Sequence, residues 1–181
     1  MTGQKGDQIS GAILADSMGL GKTIQIVSLI WILLKQNPSP GPQPFQQPKK
    51  NHKAPIVSFH DGFVKKVVII CPVSLVTNWQ REVQKWLGDS RLSPIIAMGT
   101  RDAVLTNIKR FVNDAFRCII LSYETFTTNA KLFTKSCDLL ICDEGHRLKN
   151  MKNNTYKALN SFHCSKKILL TGTPIQNSLT E

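Results

Sequence analysis

Short apolar runs alternate along this chain with longer segments in which apolar and polar residues are mixed. The runs have the length and composition of buried strands, and they read AILAD, VVIIC, PIIAM, CIILS, DLLIC and KILLT. The segments between them have helical length and cover residues 22–36, 75–87, 103–113, 123–134 and 153–162. This alternation predicts an α/β fold, with a mostly parallel sheet and helices on both faces.

One segment interrupts the alternation. Residues 37–55 contain six prolines among Gln, Ser, Gly and Lys, and they lack the apolar residues that a core requires. The composition predicts a surface insertion between the first helix and the second strand. A polyproline docking site is the alternative interpretation of the same segment.

Composition narrows the class of protein. The 181 residues, 41% hydrophobic and 19% charged, suit one globular domain. The net charge of +11 favours polyanionic partners such as nucleic acid. The longest apolar run, at residues 24–34, is too short to span a bilayer, so no membrane association is expected. The five cysteines contain no C-x-x-C pair and indicate reduced core thiols, not a disulfide framework or a zinc site.

The sequence DSMGLGKT follows the first predicted strand and matches the phosphate-binding loop G-x-x-x-x-G-K-[ST], except that Asp16 replaces the first glycine. Gly19 and Gly21 allow backbone N–H groups to turn toward phosphates. Lys22 is then expected to reach the β and γ phosphates, and Thr23 to ligate Mg²⁺. The predicted nucleotide-binding residues are Asp16, Ser17, Met18, Gly19, Leu20, Gly21, Lys22 and Thr23. The alternative is a glycine-rich turn with a chance lysine.

Two adjacent acids follow the run DLLIC, in the sequence CDEGHRLKN. A phosphate loop needs Mg²⁺, and Mg²⁺ needs a carboxylate at the end of a neighbouring parallel strand. Asp143 is therefore predicted to be a metal ligand together with Thr23. Glu144 is predicted to orient or deprotonate the attacking water, which makes Lys22, Asp143 and Glu144 the catalytic set. The alternative is that the two acids cap the next helix.

Five segments resemble, in this order, the first RecA-like lobe of Swi/Snf-family DNA translocases, a branch of the DEAD/H superfamily of nucleic-acid-dependent ATPases. They read LADSMGLGKTIQ, CPVSLVTNWQREVQKWLG, LSYETF, CDEGHRLKN and LTGTPIQNSL. D-E-G-H followed by R-L-K-N is similar to the homologous-recombination branch, the Rad-fifty-four type and its meiotic relatives. The resemblance implies a RecA-like P-loop three-layer sandwich that uses ATP and Mg²⁺ and binds double-stranded DNA.

The resemblance also implies roles for residues outside the nucleotide loop. The residues expected to couple nucleotide state to DNA are His146, Thr171, Gly172 and Thr173. The residues expected to lie over the DNA backbone are Pro72, Val73, Ser74, Leu75, Ser122, Tyr123 and Glu124. Hydroxyls and N–H groups at helix N-termini grip phosphates without reading bases, so binding should be largely independent of sequence. In the alternative interpretation Ser74 is a helix cap. Trp79 and Trp86 share one helical face, which predicts that both pack against the sheet.

Two further observations qualify the resemblance. Ser17 stands where an acid is usual in the family, which removes a charge but no essential ligand. A run of cations from residue 147 to 180 meets no acid and is either a polybasic phosphate-binding face or a solvated surface. The cations are Arg147, Lys149, Lys152, Lys157, Lys166 and Lys167.

The implied function is that of the ATP-binding lobe, residues 1–181, of a nuclear double-stranded DNA translocase in homologous recombination, DNA repair or chromatin remodelling. A recombinase filament or nucleosomes are possible further partners. The second lobe and its arginine fingers are expected to lie outside these residues, so hydrolysis by this chain alone should be slow. A hydrolysis-incompetent nucleotide-binding remnant or interaction module is the alternative. An RNA helicase of the D-E-A-D type is disfavoured by T-G-T in place of S-A-T.

Overall fold

The computed structural model describes residues 10–17, 19–35, 64–114, 116–133, 137–148, 154–164 and 166–172. The proline-rich segment predicted at 37–55 lies outside these residues, as do Met18 and Thr173.

Six strands form one sheet in the part of the chain that the structure describes. They are β1 (Ser10–Leu14), β2 (Val67–Cys71), β3 (Ile95–Ala97), β4 (Cys118–Ser122), β5 (Leu139–Cys142) and β6 (Lys166–Leu170). The strand order is β1-β6-β5-β2-β4-β3, and every neighbouring pair is parallel. Each strand overlaps one of the predicted apolar runs, so the predicted α/β fold with a parallel sheet is confirmed.

Among the described residues, five α-helices connect the strands: α1 (Lys22–Lys35), α2 (Val76–Leu87), α3 (Arg101–Asn113), α4 (Tyr123–Asn129) and α5 (Asn154–Asn160). α4 is shorter than the helix predicted at 123–134, because a 3-10 helix, Ala130–Phe133, continues it. Side chains in α4 compete for its carbonyls: Thr127 donates to Tyr123 O at 2.8 Å and Asn129 to Thr125 O at 2.8 Å. Such back-bonding weakens the regular α ladder.

Helices cover the sheet on both faces, as predicted. Val67, Ile69 and Cys71 of β2 pack into one apolar cluster together with α1 and α2. Val68 and Ile70 pack into a second cluster together with α3, α4 and α5. Because both faces of β2 are buried, its sequence is apolar throughout instead of alternating. Among the described helices, none combines the length and apolar character that crossing a bilayer demands.

The five cysteines are free and buried, as expected for core thiols. Burial raises the pKa of Cys71, Cys118 and Cys142 to about 12 in each case. Cys137 and Cys164 approach each other, with 3.5 Å between their Sγ atoms. Cys71, Cys118 and Cys142 are therefore protonated, and weakly reactive, at neutral pH.

Lys66 precedes β2 and joins it to the end of α3. Its ammonium group donates to the carbonyl oxygens of Phe111, of Asp114 at 2.7 Å and of Phe116 at 2.8 Å. Carbonyls at a helix C-terminus have no partner within the helix, so a cation placed there satisfies them. Lys66 therefore fixes α3 against the amino end of the central strand.

We expect Lys66→Met to lower the free energy of unfolding by about 1–3 kcal/mol, because the partly buried carbonyls lose a charged donor while the aliphatic stem is kept. Urea denaturation measures the change. Lys65→Met is the matched control, since Lys65 is exposed and surface substitutions usually change stability by less than about 0.5 kcal/mol. Equal losses in the two variants would contradict the assigned role of Lys66.

Candidate functional site

The sheet order brings three of the predicted motifs to one edge. β6 lies between β1 and β5, and the three strands are parallel, so the segments that follow them meet at the same end of the sheet. Thr171, after β6, donates its N–H to Leu14 O of β1 at 3.1 Å. Asp143, after β5, donates its N–H to Ile70 O of β2 at 2.8 Å. The glycine loop, the acidic pair and the Thr171 segment therefore share one edge, where parallel sheets bind ligands.

The loop between β1 and α1 depends on two glycines. Gly19 has φ 86° and Gly21 has φ 79°, a backbone conformation that residues with a Cβ rarely adopt. A Cβ added at Gly21 would also lie 3.3 Å from Cγ2 of Ile24. The glycine spacing seen in the sequence is thus required by the path that the chain takes into α1.

Lys22 is the first residue of α1, and its side chain folds back over the loop. Its Nζ donates to Asp16 O at 2.7 Å and to Ser17 O at 2.9 Å. An ammonium group has three hydrogens, so these bonds leave one for an anion. The first-turn N–H groups of α1 have no partners within the helix and favour negative charge. A fixed cation, a helix N-terminus and a glycine loop together suit the phosphates of a nucleoside triphosphate.

Glu144 has an unusual backbone conformation. Its φ of 53° makes it the one non-glycine residue with positive φ in the part of the chain that the structure describes. Its buried Oε2 lies 3.2 Å from Nδ1 of His146 and forms no hydrogen bond among the described residues. Strained backbone of this kind clusters at functional sites. Glu144 therefore places its carboxylate beside His146, at the same sheet edge as the glycine loop.

Asp143 is held on several sides. Its Oδ1 accepts the N–H of Glu144 at 2.9 Å, its Oδ2 accepts Nε1–H of Trp79 at 2.8 Å, and its carbonyl oxygen accepts the hydroxyl of Tyr123 at 2.6 Å. Each carboxylate oxygen keeps a further lone pair. Oxygen atoms of this kind are the ligands that Mg²⁺ prefers, and Thr23, in the first turn of α1, carries a further hydroxyl oxygen at this edge of the sheet.

The sequence predicts that Trp79 packs in the core and that Tyr123 contacts DNA, and its pattern gives neither residue a bond to Asp143. A signal for Trp79 was nevertheless present, since a buried indole N–H almost always has a hydrogen-bond partner. Asp143, which directly follows the apolar run DLLIC, has a carboxylate that can accept such a hydrogen bond.

The expected coupling residues lie beside this site. His146 belongs to a 3-10 helix, Gly145–Leu148, that packs against β6. A Cβ at Gly145 would lie 3.2 Å from Cδ2 of Leu169, so glycine allows that close approach. Thr171 is buried and Gly172 is half-buried, whereas Thr173 lies outside the described residues.

The segment after β2 presents a small exposed surface at the same edge. Val73 and Ser74 are exposed in a 3-10 helix, while Leu75 packs against the core. The N-cap residue of α2 is Leu75, without a side-chain hydrogen bond. Ser74 is therefore not a helix cap, which rules out that alternative for it.

The segment after β4 differs from its expected arrangement. Ser122 is buried and caps α4, because its Oγ accepts Thr125 N–H at 3.1 Å. Tyr123 is 3% exposed and its hydroxyl points to Asp143. The hydroxyls of both residues therefore have partners inside the protein. Glu124 is exposed, and its carboxylate carries the same charge as a phosphate. Contact of these three residues with DNA stays a prediction.

The prediction that both tryptophans of α2 pack against the sheet is wrong for Trp86. Trp79 is 2% exposed, whereas Trp86 is 43% exposed and donates to Glu82 Oε2 at 2.8 Å. The buried stripe of α2 consists of Val76, Trp79, Val83 and Leu87. Trp86 lies at the margin of that stripe, near the end of the helix, and therefore remains largely in contact with solvent.

The cations of the predicted basic face do not all lie at the sheet edge that carries the glycine loop. Lys166 and Lys167 begin β6, at the edge of the sheet opposite to the glycine loop. Lys167 Nζ donates to Leu159 O at 3.0 Å, so its charge is used inside the fold. Lys157 is exposed on α5. Lys149 and Lys152 lie outside the described residues. Of the predicted cations, Lys166 and Lys167 therefore lie at the end of the sheet opposite to the glycine loop.

Comparison with solved structures supports the fold. The "SWI2/SNF2 ATPase core in complex with dsDNA" of Sulfolobus solfataricus superposes with a TM-score of 0.69 and 24% sequence identity. The match covers 94% of this chain and 29% of that chain. At this identity the likeness shows the RecA-like fold, and that fold prediction is confirmed.

Comparison with curated proteins finds close relatives. "DNA repair and recombination protein RAD54-like" of Danio rerio is 42% identical and covers 100% of this chain, and its human counterpart is also 42% identical, over 94% of this chain. "Protein CHROMATIN REMODELING 25" of Arabidopsis thaliana is 43% identical over 96% of this chain. The chain spans 23%, 21% and 17%, respectively, of these relatives. The SNF2-related domain matches residues 1–181, so the chain belongs to the SNF2-related domain family.

Proposed function

We propose that this chain is the ATP-binding lobe of an ATP-dependent double-stranded DNA translocase that acts in homologous recombination, DNA repair or chromatin remodelling. The observation that carries the proposal is the position of Lys22. Its ammonium is held over a glycine loop at the same sheet edge as Asp143 and Glu144. A cation for the phosphates, a carboxylate for a metal ion and a base for water are the parts that hydrolysis of a nucleoside triphosphate needs.

In this proposal each residue has one task. The loop N–H groups and Lys22 bind the phosphates, and Thr23 with Asp143 holds Mg²⁺, which would neutralise charge on the phosphate oxygens when bound. Glu144 orients the attacking water and accepts its proton. His146 is 3.2 Å from that carboxylate and lies on a short helix against β6, so it is placed to report nucleotide state to Thr171.

The DNA-facing part of the proposal rests on the exposed segment after β2. Val73 and Ser74 project from the same sheet edge as the nucleotide loop. Backbone N–H groups there and at the start of α4 bind phosphates without base contacts, which gives binding that is largely independent of sequence. Hydrolysis drives opening and closing of this lobe against a second RecA-like lobe, and hence stepping along the duplex.

We further propose that residues 1–181 form one helicase ATP-binding domain, with the proline-rich segment 37–55 as an insertion in it. The RAD54-like and chromatin-remodelling names of the relatives support a nuclear location, with a recombinase filament or nucleosomes as partners. ATP hydrolysis by the full-length gene product, with and without duplex DNA, tests the translocase proposal. Stimulation by duplex DNA is expected, whereas equal or greater stimulation by RNA would overturn it in favour of an RNA helicase.

Ser74→Asp is expected to weaken binding of duplex DNA by this chain roughly fivefold at low salt. Two like charges about 4 Å apart in water repel by about 1 kcal/mol, and Ser74 is exposed where phosphates are proposed to lie. Fluorescence anisotropy with a labelled duplex measures the affinity. Thr106→Asp, at an exposed position of α3, adds the same charge away from this edge and should leave the affinity close to that of the wild type. Equal weakening by both variants would mean that Ser74 lies off the DNA path.

A further inference from the structure

Asp143, the residue that follows β5, accepts hydrogen bonds from two side chains, one in the segment after β2 and one in the segment after β4. Trp79, in the first turn of α2, donates its indole N–H to Oδ2 of Asp143 at 2.8 Å. Tyr123, the first residue of α4, donates its hydroxyl to the carbonyl oxygen of Asp143 at 2.6 Å. The two proposed DNA-facing segments therefore meet at the proposed metal ligand.

These hydrogen bonds are sheltered from water. Trp79 is 2% exposed and Tyr123 is 3% exposed, while Asp143 is half-buried. A hydrogen bond that ends on a charged group is stronger than one between neutral groups, and its strength rises in a low-dielectric setting. The bond from Trp79 to the carboxylate is of the stronger kind.

Together the bonds fix the orientation of the carboxylate. Oδ2 is held by Trp79 and Oδ1 by the N–H of Glu144 at 2.9 Å, so rotation of the carboxylate group would break one or both bonds. The bond from Tyr123 fixes the peptide group of the same residue. Magnesium requires near-ideal octahedral geometry, so it depends on the direction of its ligands more than a larger ion does.

We propose that Trp79 and Tyr123 are positioning residues that aim the Asp143 carboxylate at the metal, and so connect the two DNA-facing segments to the nucleotide site. The proposal rests on the proposed function, since it assigns a task to residues around that same site. Partners that orient a ligating carboxylate typically change metal affinity by about 10- to 100-fold when removed.

The first experiment measures the Mg²⁺ requirement for nucleotide binding. A fluorescent ATP analogue is titrated onto the wild-type chain, Trp79→Phe and Trp86→Phe, in EDTA and at increasing Mg²⁺. Trp79→Phe should raise the Mg²⁺ concentration for half-maximal effect roughly 10-fold or more, with unchanged affinity in EDTA. Trp86→Phe, seven residues later in the same helix, removes an indole that is bonded to Glu82 and should change neither value.

Tyr123→Phe is the second variant, because it removes one hydroxyl and keeps the buried ring. It should raise the Mg²⁺ requirement in the same direction, while Tyr156→Phe on α5 should not. Wild-type Mg²⁺ dependence in both Trp79→Phe and Tyr123→Phe would overturn the proposal. Equal loss of binding with and without Mg²⁺ would also overturn it, because that pattern indicates a merely structural role.

The second experiment needs neither nucleotide nor a variant at Trp79. The chain has three tryptophans, so ¹⁵N NMR gives three indole N–H signals. Asp143→Asn should shift the Trp79 signal and leave those of Trp31 and Trp86 in place; an unchanged Trp79 signal would overturn the proposal. A wild-type chain that binds no nucleotide, but whose Trp79 signal responds to Asp143→Asn, would overturn the proposed function alone.

Discussion

Lys22→Ala is expected to weaken binding of ATP to this chain by a factor on the order of 10²–10³. The ammonium is the cation that the glycine loop holds in place, with its Nζ bonded to Asp16 O at 2.7 Å and to Ser17 O at 2.9 Å. Two opposite charges about 4 Å apart near a protein surface attract by about 4 kcal/mol, which corresponds to roughly 10³ in an equilibrium constant. Water solvates the phosphates in place of the lost ammonium and recovers part of this energy, which gives the lower bound of about 10². Equilibrium binding of a fluorescent ATP analogue measures the effect.

The matched control is Lys35→Ala, at the opposite end of α1. Lys35 is exposed, and its Nζ lies 4.5 Å from the centre of the Trp31 ring, so the substitution removes the same charge from the same helix. It should leave ATP affinity close to the wild-type value. An equal loss in both variants would show that the net positive charge of the chain, and not the loop geometry, attracts the nucleotide.

Glu144→Gln is expected to slow ATP hydrolysis by about 10²–10⁴-fold while ATP binding is kept, because the amide keeps the shape of the side chain but accepts no proton. Glu144 directly follows Asp143, and its half-buried carboxylate lies 3.2 Å from Nδ1 of His146. Neutralising a carboxylate beside the phosphates should if anything tighten ATP binding. Single-turnover hydrolysis by the full-length gene product, in excess over ATP and with duplex DNA present, and the binding assay together separate the two effects.

Glu124→Gln provides the comparison for Glu144→Gln, since Glu124 is an exposed carboxylate on α4. It should hydrolyse ATP at the wild-type rate. Wild-type hydrolysis by Glu144→Gln would move the role of the base to another residue. Loss of both binding and hydrolysis in Glu144→Gln would point instead to collapse of the strained backbone at this position, where φ is 53°.

The elements of the fold were predictable because their signals are local. The runs VVIIC and CIILS coincide with β2 and β4, and the helix predicted at 75–87 begins one residue before α2. The order of strands was not predictable in the same way. β6 lies between β1 and β5, and that placement depends on contacts between residues far apart in the chain.

In the candidate site, too, features that depend on local sequence were predictable and features that depend on distant contacts were not. The loop around Lys22 and the acids at Asp143 and Glu144 follow from sequence spacing, because each sits at a junction between a strand and the next segment. The inward direction of Tyr123 and the bond from Trp79 to Asp143 did not follow. The bond from Trp79 to Asp143 joins residues 64 positions apart. The helical pattern predicts that Trp79 is buried, but it does not predict which residue accepts the hydrogen bond from its indole N–H.

The position of β1 has a consequence for synthesis of the chain. In the described part of the sheet, β1 pairs with β6 alone, and β6 begins at Lys166, more than 150 residues after Ser10. At about 5–20 residues per second, a ribosome makes β1 on the order of 10 s or more before its partner strand exists. β1 is thus among the last of the described strands to pair, and during that interval a nascent chain displays the Lys22 loop without the pairing of β1 to β6. Chaperones that bind apolar segments have that interval in which to act on β1, and nucleotide can stabilise the lobe only after β6 has been translated.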